Sequence, residues 1–285
     1  MPSAPPRREQ GLGGSLPAMA FVALVTGASA GIGAATARRL AREPGAQLVL
    51  VARSADRLHA LAAEIGGATV IAADLTDPDV PARIREIVES EHGELHLLVN
   101  NAGASWRGRF GEAGWPNVER HLKLDFEAPV RLTEALLPLL RATATGAPPG
   151  HPAAVSIVNV ASTAGRIARP GAAAYSAAKF ALAGWTDGLH LEEREHGVHV
   201  GLVLPGFVKT EGFPSTELLQ RRATRWMVST PEAVAAAIME AGPGGRPERY
   251  VPRFYWVFAA LRVLAPRLVR RVIRGGAFTT TVGHN

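Results

Sequence analysis

A tyrosine and a lysine stand four residues apart in the stretch AAAYSAAKFALAG (172–184). On a helix, side chains at this spacing share a face, so Tyr175 and Lys179 can project together. Lysine is rare here: of 31 basic residues only Lys123, Lys179 and Lys209 are lysines. A tyrosine, whose free pKa is about 10, works as an acid–base group near neutral pH when a positive charge lies beside it. The pair therefore indicates acid–base chemistry, against the alternative of a surface helix that carries both residues by chance.

A serine supplies a third polar group. Ser162 follows the apolar run AAVSIVNVA (153–161), which predicts a buried strand. When negative charge builds on a substrate oxygen during a reaction, a hydroxyl can stabilise it and an acid can protonate it. We therefore expect Ser162 to stabilise the oxygen, Tyr175 to donate the proton and Lys179 to tune the tyrosine.

A glycine-rich turn, TGASAGIG (26–33), follows the first apolar run of the chain. Gly27, Gly31 and Gly33 would let the backbone turn tightly and approach a pyrophosphate, whose charge the next helix N-terminus accepts. The spacing GxxxGxG differs from GxGxxG, and a plain strand-to-helix turn is the alternative. Its position directly after a buried strand favours the nucleotide interpretation.

Continuous apolar runs alternate with helical patterns along the chain. The runs are FVALVT (21–26), QLVLVA (47–52), ATVIAA (68–73), HLLVN (96–100), AAVSIVNVA (153–161) and VHVGLVLP (198–205). This alternation predicts a parallel sheet covered on both faces, a Rossmann-type doubly wound α/β fold of about seven strands. We expect one domain over residues 19–252, a disordered extension over 1–18 and a basic amphipathic extension over 253–285.

Composition excludes several classes of function. The 285-residue chain has no cysteine, which rules out disulfides and thiol chemistry, and its first twenty residues lack the apolar core of a signal peptide. The net charge of +6 is concentrated between Arg246 and Arg274, where eight arginines face only Glu248. We therefore expect a cytoplasmic protein that binds no nucleic acid. The acidic and histidine-containing stretch HLEEREH (190–196) lacks HExxH spacing, so no metal site is expected.

Taken together, the motifs resemble those of the classical short-chain dehydrogenase/reductase family. TGASAGIG, Asp74-Leu75, NNAG (100–103), Ser162, YSAAK (175–179) and PGFVKT (205–210) occur in the family's order, over roughly residues 21 to 240. The resemblance implies an oxidoreductase that interconverts a carbonyl and an alcohol with a nicotinamide cofactor. It also implies cofactor contacts at Gly27, Ser29, Ala30, Gly31, Ile32, Gly33, Asp74, Leu75, Asn101, Ala102, Gly103, Tyr175, Lys179, Pro205, Gly206, Val208 and Thr210.

The end of the second apolar run bears on the choice of cofactor. NAD enzymes usually carry an acid there, which binds the ribose 2′-hydroxyl and would repel a 2′-phosphate. Here Ala52 replaces the acid, and Arg53 offers a guanidinium suited to a phosphate. NADP(H) is therefore favoured over NAD(H), the alternative being that Arg53 is only a solvated surface arginine.

One position departs from the family pattern. The stretch LKLDFEAPVRL places Asp125 where the family usually carries an asparagine. The resemblance implies that the backbone carbonyl there holds a water beside the lysine while the amide fixes local geometry. A carboxylate near Lys179 could offset the charge that tunes Tyr175. Asp125 is thus a candidate catalytic residue, and a catalytically impaired NADP(H)-binding scaffold or redox sensor is the alternative function.

The substrate pocket and the tail are predicted more coarsely. We expect Ser105, Trp106, Arg166, Ile167, Phe207 and Phe213 around the reacting carbon. A lid over 211–228 would contribute Phe213, Leu218, Leu219, Trp226 and Met227. These apolar residues indicate a hydrophobic ketone or aldehyde, or the alcohol.

The tail at 253–275 has an amphipathic pattern. Its apolar side comprises Phe254, Phe258, Leu261, Leu268 and Val272, and its basic side Arg253, Arg267, Arg270, Arg271 and Arg274. Pro266 should break its helix. We favour packing over the pocket or against a second subunit, with peripheral membrane contact through residues 253–274 as the alternative. The resemblance implies a homodimer or homotetramer formed through the helices that carry Asp125 and Tyr175.

Overall fold

The computed structural model describes residues 21–147, 153–211 and 225–274. The expectations for the segment 1–18, and for Phe213, Leu218 and Leu219 of the lid, lie outside these ranges. Within them the strands are β1 (Phe21–Thr26), β2 (Ala46–Ala52), β3 (Thr69–Ala72), β4 (Leu97–Asn100), β5 (Val155–Val160), β6 (Val198–Pro205), β7 (Phe207–Val208), β8 (Val228–Ser229) and β9 (Glu248–Val251).

Seven of these strands form one parallel sheet in the order β3-β2-β1-β4-β5-β6-β9. The short strands β7 and β8 pair separately. β1, β4 and β5 are buried along their whole length, which agrees with an apolar sequence covered on both faces. The predicted Rossmann-type parallel sheet is confirmed. The seventh strand had no apolar run to reveal it, because its sequence ERYV is polar and partly exposed.

Helices cover both faces of the sheet. They are α1 (Gly31–Leu40), α2 (Ala55–Glu64), α3 (Val80–Glu91), α4 (Phe110–Leu122), α5 (Ala128–Gly146), α6 (Ala173–Glu193), α7 (Pro231–Ala241), α8 (Tyr255–Leu264) and α9 (Pro266–Arg274). One core cluster joins the sheet to α1, α2 and α7, and a second joins its opposite face to α3, α5 and α6.

Two local features of the helices lie near the candidate site, a π-helical turn and a break at a proline. Between α4 and α5 the chain forms a π-helical turn at Lys123–Glu127. At the C-terminus, α8 ends at Leu264 and α9 begins at Pro266, as the ring of Pro266 predicts. Because all seven strands run parallel, their carboxyl ends lie at one edge of the sheet, and the candidate site lies along it.

Candidate active site

A large cavity of about 730 Å³ opens at the carboxyl edge of the sheet. Twelve of the predicted cofactor residues line it: Gly27, Ser29, Ala30, Gly31, Ile32, Arg53, Asp74, Leu75, Asn101, Ala102, Gly103 and Thr210. Ala52, Ser54, Arg57, Trp106, Arg120 and Glu211 also contribute. Six other predicted cofactor residues are absent from the cavity wall, so their predicted contacts stay predictions. They are Gly33, Pro205, Gly206, Val208, Tyr175 and Lys179.

The glycine turn fits a bound pyrophosphate. α1 begins without a side-chain cap and without an acid in its first turn, so its backbone N–H groups are available to an anion. Gly33 is needed for close packing, because a Cβ there would overlap the carbonyl of Gly27. A larger side chain at Gly33 would therefore push the turn out of shape.

The NNAG segment is bonded to the same turn. The hydroxyl of Thr26 accepts from the backbone N–H of Asn101 at 2.9 Å and from that of Ala102 at 3.0 Å. The Asn101 amide donates to the Thr26 carbonyl at 2.8 Å. These bonds fix the NNAG segment, which lines the cavity, to the end of β1. The residues present therefore fit a dinucleotide cofactor.

Two of the predicted cofactor residues, Asp74 and Arg53, are charged, and they differ in their surroundings. Asp74 accepts from the backbone N–H and the hydroxyl of Thr76, at 3.0 and 2.8 Å. The bond from the Thr76 backbone contributes most to a lowered pKa of Asp74. The bond from the Thr76 hydroxyl and the charge of Arg53 lower this pKa further. Arg53 itself is exposed at the cavity wall. Nearby, Arg57 forms an exposed ion pair with Glu211 at 3.0 Å.

Lys179 is buried at the centre of the predicted catalytic trio. Its ammonium donates to the Val160 carbonyl at 3.2 Å and pairs with Asp125 Oδ1 at 3.2 Å. It lies 5.8 Å from the centre of the Tyr175 ring, so the two side chains do project together. Burial lowers the pKa of Lys179, but the Asp125 carboxylate and Tyr175 raise it by more, and the net shift is upward. Lys179 therefore stays charged.

Tyr175 and Ser162 lie close enough to interact. Burial raises the pKa of Tyr175, and the Asp125 carboxylate adds to the rise, while Lys179 and Ser162 oppose it. The net shift is upward, so the phenol is protonated at neutral pH and can act as an acid. The Ser162 hydroxyl accepts from the backbone N–H of Ala164 at 3.1 Å, which anchors it at the end of β5.

Asp125 lies in the π-helical turn and is fully buried. Its Oδ1 accepts from the backbone N–H of Ala104 at 3.2 Å as well as from Lys179. Its Oδ2 lies 3.0 Å from Nδ1 of His121. The structure thus gives the carboxylate a partner that the sequence argument did not consider.

His121 is the site residue that the sequence analysis missed. Its ring is fully buried, 5.7 Å from the Tyr175 ring, and its Nε2 lies 3.0 Å from the Trp106 carbonyl. Both ring nitrogens of His121 therefore face oxygen atoms, the Asp125 carboxylate on one side and the Trp106 carbonyl on the other. The i,i+4 spacing of His121 and Asp125 was the available signal.

A second cavity of about 160 Å³ is apolar and lies beyond Ser162. Its walls are Thr163, Ile167, Arg169, Phe207, Met227, Tyr255, Phe258, Leu261, Leu268, Val269, Val272 and Ile273. Of the predicted pocket residues, Ile167, Phe207 and Met227 line it. The C-terminal helices α8 and α9 form its outer wall, as the favoured interpretation of the tail expected.

Four predicted pocket residues lie elsewhere. Trp106 lines the cofactor cavity, with Arg120 stacked 4.6 Å above its ring. Arg166 is held away by ion pairs with Glu248 at 2.7 Å and Asp187 at 3.4 Å. Ser105 is exposed, and Trp226 is 53% exposed rather than part of the wall.

The chain belongs to the short-chain dehydrogenase family. The family model described as "short chain dehydrogenase" matches residues 21–218. Members are oxidoreductases that act on CH–OH and C=O groups with an NAD(P) cofactor and small-molecule substrates, and this chain is one of them.

Individual relatives agree with this assignment. The oxidoreductase UcpA of Salmonella typhimurium is 34% identical over 227 residues, covering 78% of this chain and 80% of its own. The putative oxidoreductase SadH of Mycobacterium tuberculosis is 34% identical over 198 residues, covering 66% and 67%.

Solved structures show the same architecture. A short-chain dehydrogenase from Streptomyces avermitilis superposes with a TM-score of 0.73 at 29% identity, covering 90% of this chain and 99% of that one. An alcohol dehydrogenase from Thermococcus sibiricus, complexed with 5-hydroxy-NADP, gives a TM-score of 0.69 at 23% identity over 81% and 96%, a likeness of fold alone.

The described residues contain neither a membrane-spanning helix nor a cluster of metal ligands. No helix within the ranges 21–147, 153–211 and 225–274 is long and apolar enough to cross a membrane. Among the same residues, no group of three or more histidines, aspartates or glutamates could hold a metal ion.

Proposed function

We propose that the protein interconverts a hydrophobic ketone or aldehyde and its alcohol with NADP(H), using Tyr175, Ser162 and Lys179. The observation that carries this proposal is the position of the trio between the two cavities. On one side, the Lys179 ammonium abuts Gly103, where a Cβ would lie 3.2 Å from Nζ, and Gly103 lines the cofactor cavity. On the other side, Ser162 is followed directly by Thr163, which lines the apolar cavity.

Each chain residue has a distinct task in the proposed reaction. A bound nicotinamide cofactor supplies hydride in reduction and accepts it in oxidation. Tyr175 gives its phenolic proton to the carbonyl oxygen, and Ser162 stabilises the charge that develops there. Lys179 lowers the cost of forming the tyrosinate through its charge. Asp125 holds the Lys179 ammonium in place at 3.2 Å, and His121 holds the carboxylate on its other side.

A catalytically impaired, cofactor-binding scaffold is the alternative function, and the Asp125 substitution is what favours it. The two functions separate in the variant Tyr175→Phe, which keeps the ring and loses the proton donor. An enzyme should lose turnover by a factor of about 10² to 10⁴ in this variant, while NADPH binding, measured by fluorescence titration, stays unchanged. Wild-type protein that binds NADPH but turns over no ketone, aldehyde or alcohol in a broad screen would favour the scaffold.

The NADP(H) preference is supported by the wall beside the end of β2. Ala52 leaves no acid there, and exposed Arg53, with Ser54 and Arg57, lines the cavity at that point. The test is a fluorescence titration of the protein with NADPH and with NADH. We expect NADH to bind about tenfold more weakly, a difference of about 1.4 kcal/mol. Arg53→Ala should remove most of this difference, whereas Arg131→Ala on the exposed surface of α5 should leave it intact.

Self-association through α4, α5 and α6 is supported by apolar side chains that these helices expose. Phe110 and Trp115 on α4 and Phe180 on α6 are large and at least 41% exposed. An apolar surface of this kind is typical of a subunit interface. Light scattering on the purified protein should give a dimer or tetramer, and Phe180→Glu should reduce the measured mass if α6 forms the contact.

Contact with a membrane surface is a further proposed role for residues 253–274, through the side of the tail that faces away from the apolar cavity. Trp256, Val263 and Leu264 on α8 are exposed and face away from the apolar cavity, and α9 adds four arginines. Such a surface suits an anionic lipid interface. Co-sedimentation with phosphatidylserine vesicles, compared with phosphatidylcholine vesicles, tests it, since only the anionic vesicles should retain the protein.

A further inference from the structure

The apolar cavity contains one charged side chain. Among its wall residues only Arg169 is ionisable apart from the phenol of Tyr255; the others are apolar or carry the single hydroxyl of Thr163. The Arg169 guanidinium lies 4.7 Å above the ring of Phe207, which forms part of the same wall. A cation is therefore built into a cavity that is otherwise suited to hydrocarbon.

Arg169 has no counter-ion in the described part of the chain. Of residues 21–147, 153–211 and 225–274, none places a carboxylate within ion-pair distance of its guanidinium. Arg166, in the same loop, pairs with both Glu248 and Asp187. The two arginines thus differ in what surrounds them, although they stand three residues apart.

The charge of Arg169 is also costly where it lies. Burial lowers the pKa of its guanidinium, and the positive charge of Arg107 lowers it further, while the phenols of Tyr255 and Tyr175 act in the opposite direction. A partly buried cation without an anion is unfavourable, and removing the guanidinium or neutralising it with a bound anion would relieve that cost. The planar fork of arginine matches a carboxylate in a bidentate contact.

The position of Arg169 connects this cation to the reaction. The residue lies in the loop between Ser162 and Tyr175, and its charge is felt by the Tyr175 phenol. A molecule whose anionic group meets Arg169 would have its nearby atoms beside the catalytic hydroxyls. Its apolar part would then extend along Phe258, Leu261 and Leu268 of α8 and α9, which form the outer wall.

We infer that the substrate is an amphipathic carboxylate, an oxo acid or the matching hydroxy acid with an apolar chain, whose carboxylate is bound by Arg169. This inference rests on the proposed function. In reduction, the carbonyl carbon gains hydride from the nicotinamide cofactor and the carbonyl oxygen gains the Tyr175 proton, while the carboxylate stays unchanged as the recognition group. Arg169 thereby determines substrate specificity, and the cavity selects the chain.

A binding experiment tests the inference without requiring turnover. Octanoate and octanol share an apolar chain and differ in charge, and their binding to the full-length protein is measured by calorimetry. We expect octanoate to bind about tenfold more tightly than octanol, as a charge-assisted contact predicts. Arg169→Leu should abolish this difference while octanol binding is kept, and Arg169→Lys should retain part of it.

The matched control is Arg253→Leu, which removes an exposed arginine just before α8 and leaves the cavity wall intact. It should bind octanoate as the wild type does. Equal binding of octanoate and octanol to the wild type would overturn the inference. An unchanged preference for octanoate over octanol in Arg169→Leu would also overturn it, because another residue would then bind the carboxylate.

A turnover experiment separates this inference from the proposed function. A medium-chain oxo acid and its methyl ester are offered to the wild type with NADPH. Preferential reduction of the acid, lost in Arg169→Leu through a higher KM, supports both. Reduction of the ester in preference to the acid overturns the carboxylate inference and leaves the oxidoreductase intact. Failure to bind NADPH would remove the proposed function, while octanoate binding would still report on Arg169.

Discussion

The cofactor cavity and the apolar cavity are built from different parts of the chain. The cofactor cavity is lined largely by small residues and backbone at the carboxyl ends of β1, β2, β3 and β4, and hydrogen bonds donated to Thr26 by Asn101 and Ala102 hold two of its loops together. The apolar cavity is lined by large side chains from the loop after Ser162, from Phe207 and from α8 and α9. The first is shaped by the sheet itself, whereas the second is closed by an added C-terminal segment.

This difference predicts that substitutions in the cofactor cavity affect folding, whereas substitutions in the apolar cavity affect only substrate binding. A backbone-built cavity tolerates no added atoms, because the main chain cannot move aside. A cavity walled by partly exposed side chains loses contact area when one is shortened, but its scaffold persists. The predictions below compare the two regions, beginning with the largest effect.

The largest effect is expected at the glycine turn. Gly33→Ala places a methyl group against the Gly27 carbonyl, so it should cost about 1 to 3 kcal/mol of unfolding free energy and abolish NADPH binding. Chemical denaturation and fluorescence titration measure the two effects. Gly184→Ala on α6, where a Cβ meets nothing within 4 Å, is the matched control and should bind NADPH normally. Normal cofactor binding in Gly33→Ala would contradict a backbone-built site.

A smaller effect is expected at the outer wall of the apolar cavity. Phe258→Ala removes part of that wall and should raise KM for an apolar substrate about tenfold, as the loss of about 1.4 kcal/mol of apolar contact predicts. NADPH binding and kcat should change little. The control is Trp256→Ala, on the same helix but outside the wall, with a side chain 58% exposed. A fall in NADPH affinity in Phe258→Ala would show that the two cavities are not independent.

The smallest effect is expected where the two regions meet, in the pH dependence of alcohol oxidation. The pKa of Tyr175 is raised by burial and also by the Asp125 carboxylate, and it is lowered by Lys179, Ser162 and Arg169. Oxidation requires the deprotonated phenol, so the rate rises as pH increases through this pKa. Asp125→Asn removes a group that raises the pKa, and the rise should therefore move to lower pH.

The displacement in Asp125→Asn should stay below about one pH unit, because an asparagine can still accept from Lys179 and hold its ammonium beside Tyr175. His121→Asn keeps the carboxylate that raises the Tyr175 pKa, so the rise should not move to lower pH. Glu127→Gln, exposed in the same π-helical turn, should leave the profile in place. A shift to lower pH in His121→Asn as large as that in Asp125→Asn would contradict the assignment of the effect to the carboxylate.

Much of the cofactor region could be predicted from sequence because its information is local. The glycine turn, the NNAG segment and the Tyr175–Lys179 pair each occupy a few consecutive residues next to a readable strand or helix. Parallel strands bring their carboxyl ends to one edge, so the order of the motifs was enough to assemble that side of the site.

The remainder depended on contacts between residues far apart in the chain. Arg166 and Arg169 look alike in sequence, and only the ion pairs of Arg166 with Glu248 and Asp187, both remote in the chain, distinguish the two arginines. Trp106 lines the cofactor cavity and not the apolar one, and its ring packs against His121 and Arg120, which no local sequence pattern indicates. The polar strand β9 has no apolar run, and it exists because it pairs with β6.

The join between α8 and α9 has a consequence for how such a protein can diversify. Pro266 separates two short helices that follow the last strand of the sheet. Mutations in them can alter substrate range without passing through forms that fail to fold or to hold the cofactor. A library randomised at Phe258, Leu261 and Leu268 should therefore yield mostly folded, cofactor-competent variants with altered preferences, and the tail offers the natural starting point for redesigning this oxidoreductase.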